Sequence, residues 1–247
     1  MDKLLLVVRS TLFAPVFYLS TAFFVLLCMV TSLIGKWPLR MAVRGWGWSH
    51  RLACRWILGQ KIRIEGKLPS DPVLYVFKHE SMFETIDVLV LFKFPVVAAK
   101  QELLDIPFWG WVAERYGLIG IQRKAGAKAL RFLRTKAQEC VAEGRPLILF
   151  PEGTRVPHGV RAPLRSGFAG LYQMLGMPVV PVALDTGRFS PRGSFLKRPG
   201  TITYKVGEMI PVGLPRDEAE ARAFEAINAL NPPVAEGPTG DGLSPAA

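Results

Sequence analysis

Residues 11–34, TLFAPVFYLSTAFFVLLCMVTSLI, run for 24 positions without a charge. As a helix that stretch is about 36 Å long at 1.5 Å per residue, against a hydrocarbon core of about 30 Å. Two other kinds of segment share this texture. A secretory signal has an apolar core of about 7–15 residues and a small-x-small cleavage site. This run is longer, and Ser32, Leu33, Ile34, Gly35 and Lys36 offer no such site. A buried core helix seldom reaches this length. Pro15 marks either a kink or a start, so the pattern fits one spanning helix or a bent pair entering one leaflet.

The following segment, 39–58, reads differently. On a helix at 100° per residue, Arg40, Arg44, Arg51 and Arg55 fall within about 60° of one another. Trp37, Trp46, Trp48 and Trp56, four of the six tryptophans, lie in or beside it. Guanidinium groups and indole rings suit the half-wet zone above the hydrocarbon, which predicts an interfacial helix packed under the rest of the chain. An ordinary solvated face is the plainer alternative, and Gly45 and Gly47 weaken the helix.

From residue 61 short apolar runs alternate with longer periodic ones. The runs predict strands over 61–65, 73–77, 96–99, 118–121, 147–150, 179–184 and 201–206. Helices are predicted over 85–92, 107–116, 127–143, 167–175 and 216–230. In the third of these Leu130, Leu133, Ala137, Cys140 and Val141 share one face. Strands alternating with helices indicate an α/β domain around a largely parallel sheet flanked by helices. Residues 232–247 hold seven Pro or Gly among 16 positions and read as a disordered tail. The division implied is a membrane anchor and basic segment over 1–60, an α/β domain over 61–231, and the tail.

Composition narrows the chemistry. Half of the 247 residues are hydrophobic and 21% are charged, which excludes a disordered chain and allows a sizeable core. Three scattered cysteines, Cys28, Cys54 and Cys140, exclude a disulfide scaffold and a cysteine zinc site. With only His50, His79 and His158, a histidine-rich metal centre is not expected and no metal site is assigned. The net charge of +11 makes the chain a seeker of anions. Eight Lys or Arg against one Glu lie between Lys36 and Lys67, directly after the most apolar stretch. That position favours membrane lipid over nucleic acid. By the positive-inside rule it also places the bulk of the chain on the cytoplasmic side of a cytoplasmic membrane.

Two segments carry candidate chemistry. His79 ends the strand-like run VLYVFK, and Glu84 follows five residues later. Residues five apart diverge by about 140° on a helix, so His79 must sit on the turn before the helix with Glu84 in its first turn. The carboxylate then accepts the imidazole N–H, fixing the tautomer and stabilising the imidazolium formed when the other nitrogen takes a proton. The alternative is a structural histidine beside a helix terminus. Residues 150–155, FPEGTR, follow the strand-like LILF. A loop at the C-terminal end of a strand is where open α/β sheets bind ligands. Gly153 permits close backbone approach, Thr154 supplies a hydroxyl, and Arg155 offers a planar fork for phosphate. A plain turn is the alternative there.

Together, the two segments resemble the 1-acyl-glycerol-3-phosphate acyltransferases, within the glycerolipid acyltransferases. The resemblance runs from about Lys61 to Val206. Lys100, Gln101, Glu102, Leu103 and Leu104, then Ile106, Pro107, Phe108, Trp109 and Gly110, look like the family's lysine-led block. Gly120, Ile121, Gln122 and Arg123 look like its second motif, and Val179, Val180, Pro181 and Val182 like its apolar fourth. Two positions depart from the pattern: Glu84 stands where Asp is usual, and Gln122 where Asp or Asn is usual.

The resemblance implies acyl transfer from a thioester, on coenzyme A or acyl carrier protein, to a lysolipid hydroxyl. His79 is then the general base and Glu84 its orienting partner. Arg155, Arg123 and Lys100 are candidate phosphate clamps, and Glu152 a hydrogen-bond partner for a glycerol hydroxyl. No cofactor is implied. The acceptor is lysophosphatidate or, on the strength of Gln122, another lysolipid such as a lyso-ornithine lipid. Phe108, Trp109 and Trp111 either line an acyl groove or pack in the core. No G-x-S-x-G elbow surrounds any serine. A non-catalytic adaptor binding anionic lipid through 36–67 is the alternative from a different class.

Overall fold

The structure is a computed structural model that describes residues 3–69, 73–121, 126–165 and 167–231. Two long helices come first, α1 (Lys3–Ile34) and α2 (Lys36–Ala53), the latter closing in a π-helical turn, Cys54–Leu58. The α/β region follows as β1 (Gln60–Glu65), β2 (Leu74–Phe77), α3 (Phe83–Leu91), β3 (Val96–Lys100), α4 (Gln101–Leu104), α5 (Trp109–Tyr116) and β4 (Ile119–Ile121). It continues through α6 (Gly126–Ala142), β5 (Leu147–Leu149), α7 (Gly167–Leu175), β6 (Val179–Leu184), α8 (Thr186–Phe189), β7 (Gly200–Val206) and α9 (Arg216–Ile227).

The seven strands form one sheet in the order β1-β7-β6-β2-β5-β3-β4. All neighbouring pairs are parallel except β6 with β7, so the sheet is largely parallel, as the alternating pattern predicts. The strand β7 and its neighbour β1 run against the other five. Apolar patterning reports burial, not direction, so this reversal left no trace in the sequence. The central strands β2, β5 and β6 are buried throughout, as near-continuous apolar runs covered on both faces should be.

Register divides the sheet residues between two cores. Tyr75 lies level with Ile148 and Val180, and their side chains face α1, the π-helical turn and α3 through Phe13, Phe17, Leu58 and Ile86. Leu74 lies level with Leu147 and Val179, and these face α6, α7 and α9 through Ala137, Cys140, Phe168, Leu171, Ala219 and Ile227. This is the two-residue alternation of a strand, here with both faces dry.

The first two helices differ from expectation in instructive ways. Helix α1 begins at Lys3, eight residues before the uncharged run, and passes through Pro15. Among the described residues it is the one helix long and apolar enough to cross a membrane. Helix α2 is wedged between α1 and α3, and the glycines that weaken it make this possible. A Cβ on Gly45 would lie 2.8 Å from the Phe24 ring, and one on Gly47 3.0 Å from Val90. The arginine stripe is only partly outward. Arg51 makes a two-pronged bond to the buried Asp87 of α3, at 2.6 and 2.8 Å, and Arg40 pairs with Glu143. The outward face instead carries Trp37, Met41, Trp48 and Leu52, all exposed. Core packing of Phe108, Trp109 and Trp111 is overturned: Phe108 is 70% exposed, and Trp109 and Trp111 are 36% and 41% exposed. The expected tail, 232–247, lies outside the described residues.

Candidate active site

Strand β2 is central, so its C-terminal end opens at the middle of the sheet, and there the chain turns through Lys78, His79, Glu80, Ser81 and Met82 into α3. Glu84 sits in the first turn of α3 with no exposed side-chain surface, and its Oε1 lies 2.9 Å from His79 Nδ1. The same oxygen accepts the backbone N–H groups of Glu80 (2.8 Å) and Ser81 (2.6 Å), while Oε2 accepts the Thr186 hydroxyl at 2.8 Å. A buried carboxylate is costly unless so surrounded, and a helix N-terminus is where its charge is favoured. The hydrogen-bond partner assigns the tautomer: Nδ1 carries the proton and Nε2 keeps its lone pair. No partner engages Nε2 among the described residues, and the side chain is 14% exposed. The imidazole packs on the Phe150 ring, centroids 4.4 Å apart.

The loop after β5 clasps this turn. The His79 N–H donates to Glu152 Oε2 at 2.9 Å, and the His79 carbonyl accepts the Val156 N–H at 2.7 Å. Behind it lies a buried ion pair, Lys78 Nζ to Glu152 Oε1 at 2.6 Å, both side chains without exposed surface. Lys78 also donates to the Val160 carbonyl (2.8 Å) and Asn228 Oδ1 (2.9 Å), so its three protons are spent. Burial pushes the Glu152 carboxyl above the usual range, opposed by Lys78 and the His79 N–H. Both Glu152 oxygens are thus occupied by protein donors. This corrects its reading as a contact to a glycerol hydroxyl: the residue stands behind His79.

Gly153 has a φ of 65°, the left-handed region where a side chain is strained, and it lets the loop reverse over His79. Thr154 and Arg155 are half-buried. Arg192 reaches both, its Nη1 lying 3.5 Å from Thr154 Oγ1 and donating to the Arg155 carbonyl at 3.3 Å. Burial, and then the Arg155 charge, push the Lys197 ammonium below the ordinary lysine range. Lys100 is exposed at the end of β3, two strands from β2, or about 10 Å at 4.8 Å per strand. Arg123, with Gln122, lies outside the described residues.

The structure thus brings together His79, Glu84, Glu152, Gly153, Thr154 and Arg155. Sequence reasoning missed Thr186, Asn228 and the buried role of Lys78. A lysine closing an apolar strand was the only available signal, since its partner is 74 positions away. His50 goes elsewhere. It is buried against Phe13, Phe17 and Phe83, and burial, with Arg51, pushes its imidazole down to about 3.

An oriented imidazole with one free nitrogen, beside a cationic loop at the C-terminal edge of a parallel sheet, can remove a proton from a bound hydroxyl and hold an anionic substrate. Comparison with known proteins agrees with a group-transfer site. A family model described as Acyltransferase matches residues 61–185, and the chain belongs to this acyltransferase family. It is 31% identical over 194 residues to a 1-acyl-sn-glycerol-3-phosphate acyltransferase of Pseudomonas aeruginosa, covering 78% of this chain and 73% of that protein. A lyso-ornithine lipid O-acyltransferase of the same organism is 30% identical over 208 residues, covering 77% and 78% of the two chains. The crystal structure of a 1-acyl-sn-glycerophosphate acyltransferase, PlsC, from Thermotoga maritima shares the fold, with a TM-score of 0.69 at 21% identity. It covers 94% of this chain and 100% of that one.

Proposed function

We propose that the protein transfers a fatty acyl group from a thioester to the sn-2 hydroxyl of 1-acyl-glycerol-3-phosphate, forming phosphatidate. The observation that carries this reading is the His79–Glu84 pair, with Nε2 free beside the loop that bears Arg155. His79 Nε2 takes the hydroxyl proton as the oxygen attacks the thioester carbon. The C–O bond forms, the C–S bond breaks, and the imidazolium returns its proton to the departing thiolate. Glu84 holds the imidazolium through Nδ1 and stabilises its charge. No acyl-enzyme is needed. Arg155 takes the acceptor phosphate, with Lys100 and Arg123 as further cations. Gly153 and Thr154 shape that loop, and Glu152 positions His79. The donor is a thioester of coenzyme A or of acyl carrier protein.

The acceptor and product are lipids, and the exposed apolar surfaces of α1 and α2 fit attachment to the cytoplasmic membrane. The cations after α1 favour a catalytic domain on its cytoplasmic side. One second reading has specific support: the same chemistry on a lyso-ornithine lipid, since a relative of that name covers as much of the chain.

Acyl transfer by the purified protein in detergent, with oleoyl-coenzyme A, a panel of lysolipids and His79→Ala as control, tests both. Phosphatidate made by the wild type alone supports the first reading, and product only from another acceptor supports the second. Full activity of His79→Ala defeats the mechanism in either form.

A further inference from the structure

A cleft of about 550 Å³ opens beside the catalytic turn, and its wall includes Glu80, His158, Gly187, Arg188, Arg192 and Arg198. We propose that Arg188, Arg192 and Arg198 bind the phosphates of the thioester donor's nucleotide end, as on a coenzyme A thioester. This inference rests on the acyl-transfer reading and adds where the donor's anionic end sits.

The argument begins with charge that the protein does not compensate. Several arginines elsewhere meet carboxylates closely: Arg51 with Asp87 at 2.6 Å, Arg161 with Glu225 at 2.5 Å and Arg222 with Glu218 at 2.7 Å. Among the described residues, the three arginines of the cleft meet no carboxylate so closely. Among the described residues Arg192 bonds neutral oxygens, those of Thr154 and Arg155. Arg198 donates to the Arg188 carbonyl at 3.4 Å. Among the described residues the carboxylate paired with Arg188 is Asp185, at 3.9 Å. The acid in the wall, Glu80, is fully buried and already committed. Its Oε1 faces His158 Nδ1 and the Asn231 amide, both at 3.0 Å, and its Oε2 accepts the Gly187 N–H at 2.8 Å. Three neighbouring cations repel one another, and a polyanion offsets that repulsion. Guanidinium forks suit phosphate oxygens bidentately. His158, held by Glu80, presents its partly exposed ring to the same space.

Position supplies the second argument. Glu80 follows His79 directly, and Arg192 is bonded to the loop carrying Arg155. A ligand with phosphates in the cleft therefore has its far end within reach of the proposed base. The acceptor brings one phosphate, which Arg155 answers. The prosthetic arm of a carrier protein brings one phosphodiester. A coenzyme A thioester brings three phosphates, matching three arginines.

The test uses the full-length protein in detergent and the triple variant R188Q/R192Q/R198Q, with R222Q as a surface control. The triple variant should raise KM for oleoyl-coenzyme A at least tenfold and move KM for the lysolipid less than twofold. With S-oleoyl-pantetheine, which lacks phosphates, wild type and variant should match. Without any substitution, free coenzyme A should inhibit the wild type at least tenfold better than pantetheine. Equal inhibition by the two overturns the proposal, as does a shift confined to the acceptor's KM. Equal losses with both donors mark a structural role and also overturn it. So does a wild type that uses only a carrier-protein thioester. His79→Ala separates the parent reading: its loss with both donors leaves acyl transfer standing whatever the cleft does.

Discussion

His79 and His50 are the same side chain in opposite circumstances. His79 has one nitrogen tied to a carboxylate and the other unoccupied, with its backbone clamped at both N–H and C=O. His50 is enclosed by phenylalanine rings, with the Cys54 sulfur 3.5 Å from its Nε2, and its proton affinity has collapsed. The first environment prepares an imidazole to gain a proton; the second forbids it. What separates the proposed base from a core residue is therefore a carboxylate at Nδ1 and access at Nε2. Both depend on the turn that follows a central strand.

The contrast can be broken at its strongest point first. His79→Ala should lower acyl transfer about 10²–10⁴-fold, the usual worth of a positioned general base, with little change in Tm. Glu84→Gln keeps an oxygen that can accept from Nδ1 but removes the charge that stabilises the imidazolium, and should cost about 10²-fold in kcat. Glu84→Asp should recover much of that loss, because it restores a carboxylate. A merely structural role would instead make the two variants fail alike in thermal unfolding.

Lys78→Met leaves Glu152 buried without its partner, and breaking such a pair costs about 3–5 kcal/mol. Thermal unfolding should fall by roughly 10 °C for a chain of this size. An unchanged Tm would mean that the ion pair does not brace the turn. The smallest effect concerns His50. Its folded-state pKa lies near 3, against 6.5 unfolded. Between those values the unfolded chain binds a proton that the folded chain refuses. The stabilising contribution is therefore complete above about pH 6.5 and is lost as pH falls toward 3. At pH 5 the loss is about 2 kcal/mol at one pKa unit per 1.36 kcal/mol. His50→Phe should flatten the fall in Tm between pH 7 and pH 5, and an unchanged slope would assign it to other groups.

Much of the fold was legible because its signals are local. The runs at 179–184 and 167–175 coincide with β6 and α7, and the spacing of His79 and Glu84 dictated a turn followed by a helix start. What escaped depends on contacts distant in sequence. The reversal of β7 is set by pairing with β6, not by its own apolar pattern. Gly45 and Gly47 weaken a helix in isolation but admit Phe24 and Val90 in the folded molecule. Glu152 looked like a ligand contact because its partners, Lys78 and the His79 amide, lie more than 70 positions earlier. The arginine stripe predicted an outward face, yet Arg51 turns inward because Asp87 on α3 is buried and needs a cation.

The bonds from the catalytic turn to Asn228 and Asn231 impose an order of events in time. Lys78 meets Glu152 74 positions on, but its last partner, Asn228, comes 150 positions later, and the last partner of Glu80, Asn231, 151 positions later. At about 5–20 residues per second, a ribosome needs roughly 8–30 s to travel that distance. Through that interval the apolar α1 has already been made, while the set of partners around the turn is still incomplete. The apolar helix of a nascent chain is thus complete well before the turn that carries His79 can settle.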